Sequence, residues 1–534
     1  MEEKKLKNLP LGIQTFKDII EANKLYVDKT EEIYNLLETD DKYFFLSRPR
    51  RFGKSLLIST LQEIFLGNKE LFKGLWIYDK IEFKKHPVIK LTMNDLIYSE
   101  GVEGFKSSLF EQIKAIYKNY NIKLETDNHK IAFKNLIQEL SKTEKVVLLI
   151  DEYDKPIIEY IENIEKAIEM RKVLKEFYET IKANDEYLHF VFLTGVSKFS
   201  KVSIFSALNN LTDITLSDKF ANIVGITEKQ LYSYFDERIT ILAKKLNVTE
   251  EKLKKELKNW YNGYSWNGKD FLYNPYSLLL LFENQQINNY WFETGSPTFL
   301  IKMIKEYDID IKKLENCVLS KNDFSTYEVD DMNVYALLFQ TGYLTIKEII
   351  EYDITDREYI LSYPNMEVKD SLLKSILIDM TNKKSNEISI SRIIRALKSK
   401  NLDEFFKLLI ALFGTIPNQI HPHKGSNVID KEFYYHTIFH IIFTLIGVRV
   451  KSEVSVSKGF VDSVVETDDT IFIFEFKLGK KSNIAIEQIQ NKKYYESYLS
   501  CNKEIYLIGV SFDMKERNIV DYLVKKHEYK EKQN

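Results

Sequence analysis

Apolar runs that stop abruptly at polar residues recur through the first part of the chain. Tyr43-Phe44-Phe45-Leu46 stops at Ser47-Arg48-Pro49-Arg50-Arg51-Phe52-Gly53-Lys54-Ser55. Val146-Val147-Leu148-Leu149-Ile150 runs straight into Asp151-Glu152-Tyr153-Asp154, and Leu188-His189-Phe190-Val191-Phe192-Leu193 ends in Thr194-Gly195-Val196-Ser197. Near-continuous apolar runs of this length read as strands buried on both faces, the pattern of a parallel sheet. Apolar positions from Leu56 to Phe65 recur at helical spacing. A strand is expected at Pro87-Val88-Ile89-Lys90-Leu91, helices from there through Leu140, and another helix from Met170 to Ala183. Upstream, Phe16 to Ile20 and Thr30 to Leu37 have helical spacing, with Thr30 read as the N-cap of the second. Alternating strands and helices predict an α/β domain whose ligand sits at the C-terminal ends of the strands.

Near Gly225 the pattern changes. Thr227 reads as the N-cap of a helical region running to about Trp260. Turns follow at Tyr261-Asn262-Gly263-Tyr264 and Trp266-Asn267-Gly268, and Asn274-Pro275-Tyr276-Ser277 opens an apolar helix. This is an α-helical lid in outline, and its Trp and Tyr side chains read as packing. Further on, Val334 to Leu344 reads as a helix turning into a strand, in a winged-helix-like connector. His421-Pro422-His423-Lys424-Gly425 reads as a solvated boundary loop rather than a metal site. Beyond it the order is helix, strand, strand, strand, helix, strand. The expected domains are 1–225, an ATPase core; 226–300, the lid; 301–424, the connector; and 425–534, a smaller α/β domain.

Strand, tight loop and helix around Gly53-Lys54-Ser55 give the context of a phosphate-binding loop. Backbone N–H groups and the helix N-terminus face an anion there. Lys54 supplies a charge for the β- and γ-phosphates, and the Ser55 hydroxyl ligates Mg²⁺. Gly53 lets the backbone approach the phosphate. The full motif has a glycine where this chain has Arg48. Asp151 would hold Mg²⁺ and Glu152 would polarise the attacking water. Thr194 and Ser197 are candidates to sense the γ-phosphate.

In the last domain Glu475 and Lys477 are two apart on one strand, so both project from one face. Asp462, on the neighbouring expected strand, can join them. Two carboxylates and a lysine suit Mg²⁺-dependent phosphodiester cleavage. Asp462 and Glu475 would hold the metal, and Lys477 would position water or steady developing charge.

These stretches resemble the bacterial AAA-ATPase-like family, which is similar to archaeal-type P-loop ATPases. The likeness extends to Tyr26-Val27-Asp28-Lys29-Thr30, Trp260-Tyr261-Asn262-Gly263-Tyr264, Tyr273-Asn274-Pro275-Tyr276-Ser277, Thr341-Gly342-Tyr343-Leu344 and Pro364-Asn365-Met366-Glu367-Val368. Arg48-Pro49 in place of the glycine is what that family has. The resemblance implies a nucleotide site including Arg50, Arg51, Phe52, Gly53, Lys54, Ser55, Asp151 and Thr194, with the lead-in at Tyr26 beside the nucleotide. The C-terminal part resembles the PD-(D/E)xK nuclease superfamily, in the form found fused to that ATPase. Gly459-Phe460-Val461-Asp462 stands where the family has Gly-Arg-x-Asp, so phosphate contacts are altered while the acid remains. The resemblance further implies roles for Glu432, from the first helix, and for Gln488, followed by Tyr494.

Composition adjusts this picture little. The 534 residues are 44% hydrophobic and 29% charged, ordinary for a globular chain, and 9 Pro with 18 Gly argue against long flexible linkers. A net charge of −3 lacks the basic excess of a non-specific nucleic-acid binder. Cys317 and Cys501 make no disulfide framework, and no apolar run is long enough to span a bilayer, so a reducing cytoplasm is expected. The expected cofactors are ATP and Mg²⁺ and the expected partner is DNA, with RNA left open. A homo-oligomer is allowed: Arg50 and Arg51 stand near the phosphates, and a neighbouring subunit could supply an arginine finger instead. The leading expectation is an ATP-regulated nuclease. Neutral charge and Phe460 favour the alternative, a nucleotide-driven switch whose nuclease-like domain binds without cutting. A protein remodeller has no support beyond the ATPase itself.

Overall fold

The computed structural model describes residues 6–198, 210–291, 298–307, 309–320, 323–324, 327–328, 331–353, 356–381, 386–414, 438, 440–445, 449–456, 459–467, 469–513, 516 and 518–527. The loop with His421 and His423, and the helix expected from Glu432, lie outside them. The backbone packs as two units, Met1–Gly295 with Lys313–Lys369, and Ser296–Lys312 with Asp370–Asn534. Among the described residues no helix is long and apolar enough to cross a membrane.

The first unit is built on five strands: β1 Tyr43–Ser47, β2 Val88–Thr92, β3 Val146–Asp151, β4 Leu188–Gly195 and β5 Thr212–Asp213. Their order is β2-β3-β4-β1-β5, and every pairing is parallel. All residues of β1 and β3 are buried, as their unbroken apolar character demands. β4 lies between β1 and β3, with Leu46 opposite Thr194 and Ile150 opposite Leu193. The apolar runs therefore stop at one common edge, and their polar tips come together there.

The helix Lys54–Phe65 follows β1 and buries Leu57, Ile58, Leu61, Ile64 and Phe65. Further helices run Gly101–Asn119, His129–Ser141 and Ile164–Lys182, the last starting earlier than the sequence pattern suggests. Asn163 caps it through Lys166 N–H, before any apolar periodicity is visible. At Thr30 the expectation is corrected. Thr30 is the first residue of its helix, and Asp28 does the capping, accepting both the Thr30 N–H (2.9 Å) and its hydroxyl (2.7 Å). The Thr30 hydroxyl donates to Asp28 and accepts the Ile77 N–H, so it is not turned to the N–H groups of the first turn.

Thr227 does cap Glu228–Leu246, in a reciprocal capping box with Gln230. With Glu250–Tyr261 and Pro275–Asn284 this helix encloses Leu231, Phe235, Ile239, Leu253, Leu257, Leu281 and Phe282. The same unit carries β6 Cys317–Ser320, β7 Tyr327–Glu328, β8 Asp331–Met332, β9 Thr345–Glu351 and β10 Arg357–Ser362. β7 and β8 pair with each other, and β6, β10 and β9 form an antiparallel sheet. The helix Val334–Thr341 turns into β9 through Gly342.

The second unit holds a mixed sheet of β11 Arg449–Val456, β12 Gly459–Glu466, β13 Thr470–Leu478, β14 Glu504–Asp513 and β15 Asn518–Lys526, paired in that order. Only β13 and β14 run parallel, joined across the helix Ser482–Lys492. Alternate residues of β13 divide the faces. Ile471 and Ile473 pack with Ile486 and Ile489 of that helix, while Phe474 meets Phe443 (ring centroids 4.6 Å) and Phe405 (6.3 Å) on the other side. Gly509 admits the helix: a Cβ there would lie 2.4 Å from the Ser482 carbonyl oxygen.

Candidate functional site

The chain leaves β1 into the loop with the Arg48 N–H donating to the Gly195 carbonyl at 3.1 Å. Arg48 itself is fully buried. Its guanidinium donates to the carbonyls of Ser47 and Thr215, both at 2.9 Å, and lies 4.0 Å from the Trp266 ring centre. Burial pushes its pKa down to about 9. A buried cation persists only with such hydrogen bonds and an aromatic face. Thus the residue that replaces the usual glycine is a strut under the loop.

Arg51 and Gly53 have φ of 63° and 96°, which curl the backbone into the helix N-terminus. A Cβ on Gly53 would meet nothing within 4 Å, so the loop faces open space at this point. Lys54 is buried, and its ammonium donates to the carbonyls of Arg48 and Pro49 at 2.9 Å each. Burial lowers its pKa, opposed by Asp151, Glu152 and Asp154. Ser55 follows on the first helical turn, half-buried. Phe52 packs into the lid, 5.1 Å from Tyr264 and 5.2 Å from Trp266. Arg51 lies over the Tyr276 ring at 4.0 Å, and Arg50 is exposed.

At the tip of β3 the Thr194 hydroxyl donates to Asp151 Oδ1 at 2.5 Å. Glu152 adopts φ of 55°, an uncommon value for a side chain with a Cβ, and turns the chain sharply. Burial raises its pKa, opposed first by Lys54. Asp154 has no role in the sequence reading, yet it is 1% exposed and organises the end of β4. Its Oδ2 accepts the N–H of Val196 (3.0 Å) and both the N–H and hydroxyl of Ser197 (2.7 Å each). Ser197 is therefore held by Asp154, and Thr194 is the one that meets Asp151. Gly195 permits this crowding, since a Cβ there would lie 2.6 Å from the Tyr153 ring. The available signal was a third carboxylate three residues past Asp151.

Beside Phe52 and Gly53 lies a half-open apolar pocket of about 100 Å³, lined by Tyr26, Val27, Lys29, Val224, Pro275 and Leu279 among others. Lys29 at its edge donates to the Asn222 carbonyl and to Gln230 Oε1, both at 2.8 Å, and burial pushes its pKa down to about 8. The lead-in and the lid therefore meet at the loop. Two later motifs reach it too. Gly342 (φ 90°) sits so close to Pro49 that a Cβ would lie 2.7 Å from that ring. The buried Glu367 carboxylate accepts the N–H groups of Tyr290 and Trp291 and the Ser277 hydroxyl, and the Trp291 indole donates to the Arg50 carbonyl at 3.3 Å.

In the second unit Glu475 and Lys477 share the face of β13 that carries Ile471 and Ile473. Glu475 is 1% exposed, and its Oε1 accepts from the Lys477 ammonium at 2.7 Å. Gln488 is on the covering helix and donates to the Tyr494 hydroxyl at 3.3 Å. That helix is pinned to β15, with Ser482 donating through N–H (3.3 Å) and hydroxyl (2.5 Å) to Asp521. Asp462 is on β12, one position beyond the Ser463–Phe474 pair, which puts its position in the row beside Glu475. The Asp462 side chain and all of Glu432 lie outside the described residues. Among the described residues no three His, Cys, Asp or Glu gather as a metal cluster.

A parallel sheet with a Gly-Lys-Ser loop and acids on an inner strand defines a P-loop nucleotide-binding fold, followed by a separate nuclease-like sheet. Comparison with known families agrees on both. Residues 10–205 match the family described as Predicted AAA-ATPase, and residues 430–522 match the PD-(D/E)XK nuclease superfamily. A protein of Azotobacter chroococcum mcd 1, named "Uncharacterized protein in vnfD 5'region", is 35% identical over 525 residues, covering 97% of this chain and 99% of that protein. The chain belongs to the family of AAA-ATPase-like proteins that carry a C-terminal PD-(D/E)XK nuclease superfamily domain.

Proposed function

We propose that the first unit binds and hydrolyses ATP with Mg²⁺, and that the second cleaves DNA in a metal-dependent reaction governed by the first. The observation that carries this is the convergence of the Lys54 ammonium with Asp151, Glu152 and Asp154 at one edge of the sheet. The residues fit a magnesium nucleotide. Gly53 leaves open space over the loop, and Asp151 is a buried hard-oxygen donor held in place by Thr194. Ser55 and Asp151 would hold the metal, which supplies charge neutralisation on the phosphates when bound. Lys54 steadies the transferred phosphoryl group, and Thr194 keeps the Asp151 carboxylate aimed. Glu152 orients and deprotonates the attacking water, and its raised pKa suits a base. The apolar cavity beside Gly53 suits the edge of a base.

In the nuclease-like unit Glu475 offers a buried carboxylate of the kind a hard cation takes, with Lys477 beside it. Asp462 and Glu475 would hold that metal, and a bound metal supplies Lewis acidity at the phosphodiester. Lys477 steadies developing charge, Glu432 adds a further acid, and Gln488 orients water or substrate. ATP turnover tests the first half. Lys54→Ala should lose nucleotide binding, while Glu152→Gln should bind ATP normally and lose about 10²- to 10⁴-fold in turnover. Undiminished hydrolysis by Glu152→Gln would remove it as the base.

A further inference from the structure

Besides the contacts of Tyr264 and Glu367 near the phosphate loop, the segments Asn262-Gly263 and Pro364-Asn365 build a separate feature together. Gly263 has φ of 116°, and a Cβ on it would stand 2.0 Å from the Pro364 carbonyl oxygen, so only glycine lets these segments meet. Their meeting forms one wall of a cleft of about 780 Å³ within the first unit, the size of a small-molecule site. Lys347 of β9 lines it, half-buried. Its ammonium donates to the Pro364 carbonyl at 2.9 Å and lies 5.8 Å from the Phe271 ring centre.

Among the other lining lysines, Lys258 pairs with Glu228 (3.2 Å), Lys269 with Asp218 (3.3 Å) and Lys369 with Glu315 (2.5 Å), while Lys229 is exposed. Lys347 has no carboxylate partner among the described residues. Burial alone pushes its pKa down to about 8. Tyr363 lines the same cleft with its ring, its hydroxyl being shielded from the open space. A half-buried cation without a counter-charge costs stability unless a ligand completes it.

We propose that this cleft is a second ligand site that takes a phosphate-bearing ligand of nucleotide size. The Lys347 ammonium meets the phosphate, while Phe271, Asn259 and the Tyr363 ring face the remainder. The site does not depend on the reading of the phosphate loop. The test is calorimetric titration of full-length Lys54→Ala protein, in which the loop is disabled, with AMP and separately with inorganic pyrophosphate. At least one probe should bind, and Lys347→Gln in the same background should weaken it at least tenfold. Tyr363→Phe, which removes a hydroxyl shielded from the cleft, should leave binding unchanged and should not lower Tm. A preference for AMP identifies a nucleotide as the source of the phosphate, and equal binding identifies free phosphate. Binding by neither probe, or Lys347→Gln binding a probe as tightly as its Lys54→Ala parent, would overturn the proposal.

Discussion

Asp154 shows how much of the candidate nucleotide site is held by a residue to which the proposal gives no step. It accepts three hydrogen bonds from Val196 and Ser197, just past the strand that carries Thr194. Asp154→Ala would leave two backbone N–H groups buried and unpaired, at about 1–3 kcal/mol each. A lower Tm is expected, with ATP turnover falling more than ATP affinity because Thr194 loses its alignment on Asp151. Differential scanning fluorimetry beside steady-state ATPase kinetics measures both. Lys29 gives a pH signature. Its pKa falls from 10.5 to about 8 on folding, so between those values the unfolded chain binds more protons. Its contribution therefore makes stability rise with pH from about 8 towards 10.5. Arg48 and Lys347 act in the same direction, so the measurement is a difference. Urea unfolding against pH should show a shallower rise in Lys29→Met than in the wild type, and equal slopes would contradict the assignment.

At the scale of elements, the turn between the helix Val334–Thr341 and β9 is the telling one. Gly342 rests on Pro49, and Gln340 accepts the Lys198 N–H at 2.9 Å, so this turn touches both the phosphate loop and the segment after β4. Gly342→Ala adds a methyl group 2.7 Å from Pro49 at a φ of 90°. Nucleotide affinity should fall severalfold although no phosphate contact is removed, as fluorescent-nucleotide titration would measure. The sequence carried the strands β1, β3 and β4 plainly, because their apolar runs end in polar residues at one edge. Lys54 and Asp151 stand where those runs end, and Glu475 and Lys477 share a face because strand side chains alternate. The sequence did not carry the contact of Gly342 with Pro49, nor the anchoring of Trp291 by Glu367, because tertiary approach leaves no local periodicity. Asp28 displaced Thr30 as a cap for a similar reason: both residue types cap well, and only geometry decides between them.

For the whole molecule, the proposal is that the ATPase-like domain regulates the nuclease-like domain of the same chain. Coupling of this kind requires the nucleotide to favour one state of the second domain over another. The most direct measurement is a cleavage assay on linear and circular DNA with Mg²⁺ or Mn²⁺, with and without ATP, comparing wild type, Asp462→Ala and Glu152→Gln. We predict metal-dependent cutting that is lost in Asp462→Ala and that Glu152→Gln alters only when ATP is present. Cutting that persists in Asp462→Ala, or no cutting under any nucleotide condition, would contradict the account and leave the C-terminal domain a binding module.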